Sequence, residues 1–184
     1  MSSFFSTLTR DLGARSLPGV LAQAATVRGI ATVLLRIEQA IGAKFPPIAS
    51  VIKQFNHLLT GADIAWQASI GPGLTLFHPT GVVIGPFVTI GDDVQIQQGV
   101  TLEGPGFDIA KGEYAPSPVL GDRVRLGAGA KITGPLALGD GVTVGTNSVV
   151  TKDVPSHTTV VGVPARPVGS RTTDDDDALG AAER

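Results

Sequence analysis

Residues 119–150 read VLGDRVRLGAGAKITGPLALGDGVTVGTNSVV, and this stretch decides the fold. An aliphatic residue recurs at every sixth position: Leu120, Leu126, Ile132, Leu138, Val144 and Val150. Glycine follows it at 121, 127, 139 and 145, and Val124, Ala130, Leu136, Val142 and Ser148 stand four positions after it. Further toward the N-terminus the same beat holds at Ile64, Ile70 and Leu76, and again at Ile84, Ile90, Ile96 and Leu102. A six-residue period does not return to one face of an α-helix, whose turn is 3.6 residues. It suits a chain that turns a corner every six residues, each unit giving a short strand and a turn. Three units close one triangular coil, and inward aliphatic residues stack on their counterparts about 4.8 Å away along the axis. Glycine after the aliphatic residue is expected where the corner demands unusual backbone angles. Two steps depart from the beat, Leu76 to Ile84 and Leu102 to Leu120. The second is a multiple of six, so 103–118 reads as an excursion loop that returns in phase. The expected fold is mainly β, a parallel β-helix over 61–169.

Residues 1–60 carry helical spacing instead, with Leu21, Ala24, Val27 and then Leu34, Ile37, Ile41, interrupted by Pro18 and by Pro46-Pro47. Two to four amphipathic helices are expected there as a cap, because a solenoid must cover its open ends. Residues 170–184, SRTTDDDDALGAAER, have no apolar pattern and read as a disordered acidic tail. A content of 24 Gly and 13 Pro beside 42% hydrophobic residues means many turns around a real core. A net charge of −2 with 5% aromatics argues against nucleic acid as a partner. The absence of cysteine removes disulfides, thiolate catalysis and sulfur-ligated metals. The opening MSSFFSTLTRDLGAR lacks the order of a secretory signal, and Arg28, Arg36 and Glu38 interrupt the most apolar stretch. A cytoplasmic protein without a membrane span is the expectation.

Several segments carry more than the period: ADIAWQASIGPGLTLFHPTGVVIG (62–85), VQIQQGVTL (94–102), RLGAGAKITG (125–134), NSVVTKDVP (147–155) and VVGVPARPVG (160–169). From Asp63 to Gly169 the chain resembles the catalytic half of serine O-acetyltransferases, within the hexapeptide-repeat acyltransferases. The resemblance implies a left-handed coil and a homotrimer or dimer of trimers, with active sites in grooves between neighbouring subunits. It implies no bound cofactor and no metal, with acetyl-CoA or a related acyl-CoA as co-substrate. His78 matches the family's catalytic base, and Asp63 the carboxylate that holds its other ring nitrogen. An imidazole suits this task because its pKa lies near the working pH. Ala128, Thr151, Lys152 and Arg166 match positions that line the coenzyme A groove, small residues for the pantetheine arm and cations for phosphates.

The acceptor half departs from the pattern. Phe77 stands where the family has Asp, which makes an apolar wall of an amine partner and marks Phe77 as a substrate-contacting position. Ala115, Pro116, Ser117 and Pro118 stand where the family has Asp-Arg-His-Pro, so the arginine that grips the acceptor carboxylate is missing. Arg123 or Arg125 is a candidate replacement. His57, in the cap, and His157, after the last expected coil, are read as surface groups, too scattered for the three-histidine zinc site of hexapeptide carbonic anhydrases. The expected activity is acyl transfer from coenzyme A to a hydroxyl or amine of a small acceptor. The alternative is a trimeric, non-catalytic β-helix that serves as a scaffold or coenzyme A-binding subunit.

Overall fold

The computed structural model describes residues 2–14, 16–104, 106–108 and 111–170. Four helices come first: α1 (Ser2–Asp11), α2 (Leu17–Ala24), α3 (Val27–Gly42) and α4 (Pro46–Thr60). The prolines read as interruptions instead begin helices. Pro18 and Pro46 occupy the first turns of α2 and α4, where the missing N–H leaves no bond unmade. Ser16 and Thr26 cap α2 and α3 by accepting from the Gly19 and Gly29 N–H groups. Gly61, at φ 74°, ends α4 in the left-handed region. No single described helix is long and apolar enough to cross a membrane.

The buried face of the cap differs from the one its apolar spacing suggests. Leu21 and Val27 are exposed, and Leu34, Ile37 and Ile41 are half-buried. The buried residues of α3 include Ala31, Thr32, Leu35, Arg36 and Glu38. Arg36 is inside because it closes the first coil. Its Nε donates to Asp11 Oδ2 at 2.7 Å, and its two Nη atoms donate to the carbonyls of Ile70 and Gly71 at 2.8 and 2.7 Å. Asp11 Oδ1 in turn accepts from the Gly73 and Leu74 N–H groups at 2.7 and 3.0 Å. The cap thus supplies the hydrogen bonds that a preceding coil would have made.

The strands stack as three parallel faces. Face A carries Ile64, Ile84, Leu102, Ile132 and Val150 in register. Face B carries Ile70, Ile90, Leu120 and Leu138. Face C carries Leu76, Ile96, Leu126, Val144 and Val160. Apart from the half-buried Ile70, every hexad residue from Ile64 to Val150 is at most 3% exposed. Each such side chain removed from water contributes about 1.5–3 kcal/mol to holding the coil together. Leu120 stacks directly on Ile90, so the excursion returns in phase. Within it Phe107–Asp108 pairs with Glu113–Tyr114, and the Tyr114 ring packs on Phe87 at 4.9 Å between centroids.

Two details correct the expectations. The glycines that follow the aliphatic residues do not have positive φ; those that do stand later in the corners, as at Gly73, Gly99 and Gly129. At Gly91 an added Cβ would lie 2.7 Å from the Gly121 carbonyl oxygen and closer still to Asp122 Oδ1. Contact between successive coils therefore demands glycine there. The coil also continues past Val150: Thr158–Val161 stacks in parallel on face C and turns back through Arg166–Ser170. His157 consequently occupies a corner, at φ 59°, equivalent to Gly73, Asp93, Arg123 and Gly141. Of the acidic tail, all but Ser170 lies outside the described residues.

Candidate active site

The eight-residue step from Leu76 to Ile84 pushes Phe77–Thr80 out of the coil at the corner between faces C and A. The Gly81 N–H donates to the Gly61 carbonyl at 2.9 Å and the Val82 N–H to the Pro79 carbonyl at 3.1 Å. Val83 then re-enters register beside Asp63. This pinned bulge leaves Phe77 and His78 exposed. Among the described residues no side chain bonds to the His78 ring. Asp63 stands on the strand just beyond the corner, but its carboxylate forms an ion pair with Lys53 of α4. The Asp63–His78 bond implied by the family pattern is not formed within this chain.

From Phe77 a column of corner residues runs along the coil. Phe77, Gln97, Gly127 and Gly145 each donate a backbone N–H to the carbonyl on face C of the next coil, at 3.0, 3.1, 2.8 and 2.8 Å. Beside this column run the outward residues Gln95, Arg125 and Thr143. Together they line an open groove of about 310 Å³ with Phe77 at one end and Thr146 at the other. Ala128 sits at the same edge, its N–H donating to Gln97 Oε1 at 2.9 Å. Small residues keep this wall low, which suits a flexible chain laid along it.

The remaining candidates are more dispersed. Thr151 and Lys152 are exposed on the corner after face A, a different edge of this coil. Arg166 is exposed on the terminal hairpin, its Nη1 donating to the Ala165 carbonyl at 2.9 Å. It belongs to the last strand of face C, five steps from the strand of Leu76, or about 24 Å at ~4.8 Å per step. His57 is exposed on α4, whereas His157 is half-buried and its N–H donates to the Asp140 carbonyl at 2.7 Å. The structure therefore gathers Phe77, His78 and Ala128 on one edge and leaves Thr151 and Lys152 off it. It also separates the two arginines: Arg125 faces the groove, while Arg123 is exposed on the corner between faces B and C, at φ 54°. Gln95 and Gln97 were missed by motif reading. Stepping one coil at a time from Thr75 and Phe77 would have found them.

Comparison with known proteins places this arrangement. Residues 119–152 match the family model described as the hexapeptide repeat of succinyl-transferase. Serine acetyltransferase of Helicobacter pylori strain J99 is 44% identical over 125 residues, 68% of this chain and 71% of the relative. The chain belongs to the serine acetyltransferase family. Its relative of that name in Mycobacterium tuberculosis is 45% identical over 122 residues, 66% of this chain. The chain spans about half the length of that relative, 52%. The crystal structure of Neisseria gonorrhoeae serine acetyltransferase superposes with a TM-score of 0.84 at 32% identity, covering 97% of this chain and 70% of that one. The fold is the left-handed parallel β-helix of this family.

Proposed function

We propose that this member of the serine acetyltransferase family transfers an acetyl group from acetyl-CoA to the hydroxyl of a small acceptor, with His78 as general base. The observation that carries the reading is the placement of His78: exposed, on a pinned bulge, next to Phe77 at one end of a groove whose wall includes Gly127 and Gly145. As the acceptor oxygen attacks the thioester carbonyl, His78 takes its proton, and the imidazolium returns it to the departing coenzyme A thiolate. Asp63 would steady that imidazolium, as a carboxylate does in a triad. Within this chain Asp63 faces Lys53, so its turn toward His78 requires release of that ion pair. The pantetheine arm lies along Ala128, with Thr151, Lys152 and Arg166 toward the nucleotide. Because Lys152 and His78 stand on different edges of one coil, a complete site draws its edges from neighbouring subunits of a homotrimer or dimer of trimers. Phe77 forms an apolar side of the acceptor pocket. The setting is cytoplasmic, where acetyl-CoA is made and used.

The test is release of free thiol from acetyl-CoA in the presence of L-serine, with His78→Ala as control. The variant should lose roughly 10²–10⁴-fold in turnover while still binding coenzyme A. The Asp63–Lys53 pair favours one competing reading, a coenzyme A-binding β-helix without turnover. No thiol release above background with any acceptor, alike in wild type and His78→Ala, from protein that still binds coenzyme A would establish that reading instead.

A further inference from the structure

We infer that Arg125 is the anion-holding residue of the groove and that it takes the carboxylate of a hydroxyamino-acid acceptor, a deduction that rests on the acetyl-transfer reading above. Three observations converge. Arg125 and Phe77 line the same groove, and Phe77 adjoins His78. Arg125 is half-buried on an outward position of face C, stacked between Gln95 and Thr143. Among the described residues no carboxylate pairs with its guanidinium; the ion pairs there are those of Arg10, Arg36 and Lys53.

A guanidinium stays charged at every working pH and presents a planar fork of donors that fits a carboxylate in two bonds. Held partly out of water and paired with no carboxylate among the described residues, it favours a ligand that supplies the missing charge. Residues 115–118, at the end of the excursion loop, are Ala-Pro-Ser-Pro and supply no arginine for the acceptor carboxylate. Arg125 stands two strands along face C from Thr75, about 10 Å up the axis from the coil that carries His78. Its long stem can bridge back toward that coil. An acceptor would then lie with its hydroxyl at His78, its body against Phe77 and its carboxylate on Arg125. The wall of the coil, through Arg125, takes over the task of a loop clamp. The other anion available to this groove is a phosphate of the acyl-CoA, and the experiment separates the two.

The specificity ratio of kcat/KM for L-serine over L-serinamide is measured at saturating acetyl-CoA for the wild type, Arg125→Gln and Arg125→Lys. The KM for acetyl-CoA and the calorimetric affinity for L-serine are measured alongside. Arg125→Gln should lower the ratio at least tenfold, Arg125→Lys should restore part of it, and serine affinity should fall in proportion. The KM for acetyl-CoA should move less than threefold. An unchanged ratio overturns the inference. So does a tenfold rise in the KM for acetyl-CoA at constant ratio, which would assign the guanidinium to a phosphate. Should the wild type release no thiol with either acceptor, the acetyl-transfer reading fails by itself and calorimetry still decides on Arg125. Serine binding weakened by Arg125→Gln upholds the inference, and absent or unaltered serine binding overturns it. Matching melting temperatures exclude a folding defect as the cause.

Discussion

At the scale of single residues, Glu38 sets a condition on the cap. It is fully buried in α3, its Oε1 accepts from Asn56 Nδ2 at 3.3 Å, and its Oε2 has no partner among the described residues. Burial pushes its pKa up to about 7, against the smaller opposing effects of the Asn56 hydrogen bond and the Lys53 charge. The folded protein therefore holds this proton where the unfolded chain has released it. Stability from Glu38 is fully present below its unfolded value near 4.5 and is lost as pH rises through about 7. The full loss is on the order of 3 kcal/mol. Glu38→Gln should accordingly raise the melting temperature at pH 8, change it little at pH 5, and flatten the profile between. A melting series across that window in both proteins checks this, and parallel profiles would refute it. Neither the burial of Glu38 nor that of Arg36 was legible in the sequence. Both read only as charges that interrupt an apolar stretch, because spacing reports hydrophobicity and not which carbonyl needs a donor.

At the scale of elements, the coil depends on close approach at its corners and on a cap at its first turn. Gly91→Ala places a methyl group against the Gly121 carbonyl and the Asp122 side chain. Since the carbonyl is backbone and the Asp122 carboxylate accepts from the Asp92 N–H at 2.8 Å, neither yields without breaking a ladder. A loss of about 1–3 kcal/mol is expected in urea titration, the usual scale for overpacking. Gly106→Ala provides the comparison, since nothing lies within 4 Å of that position, although its φ of 93° adds strain of its own. Asp11→Ala removes four hydrogen bonds at once, two from the Arg36 guanidinium and one each from the Gly73 and Leu74 N–H groups. It strands a buried guanidinium, so a loss of about 3–5 kcal/mol is expected. The paired change Asp11→Asn retains an acceptor and should lose less, and equal losses would show that the carboxylate's charge, not its acceptor role, holds the cap. The period itself was fully legible, because each inward position repeats one physical demand. The reason for the corner glycines was not, since steric demand from the next coil has no local signal.

At the scale of the whole molecule, a single chain presents two edges with different equipment. One bears Phe77, His78, Ala128 and the Arg125 groove, and the other Thr151 and Lys152. A homotrimer would set one chain's first edge against its neighbour's second and bring base and cations together. Light scattering should therefore report three times the mass of one chain, or six. Mixing His78→Ala with Lys152→Ala subunits after joint refolding should return part of the activity that each homotrimer lacks. Failure of that complementation, with trimers formed, would place both residues in one subunit's site. The cooperative unit should be the coil with its helical cap, since Arg36 and Asp11 tie α1 and α3 to residues 70–74.

The sequence by itself determined the parallel coil, its three-hexad turn, the phase of the excursion loop and the position of His78 at a bulge. Each of these follows from the spacing of side chains along the chain, which is what a one-dimensional pattern records. Only the tertiary structure decided that Arg125 and not Arg123 faces the groove, that Asp63 meets Lys53, and that His157 belongs to a further corner. The two arginines are two residues apart, yet one lies on a flat face beside Gln95 and the other in a left-handed corner. Which neighbour a side chain meets is set by the coil above and below it, 18 to 30 residues away in the chain as Gln95, Arg125 and Thr143 are numbered. That contact is a property of stacking, and no local stretch of residues contains it.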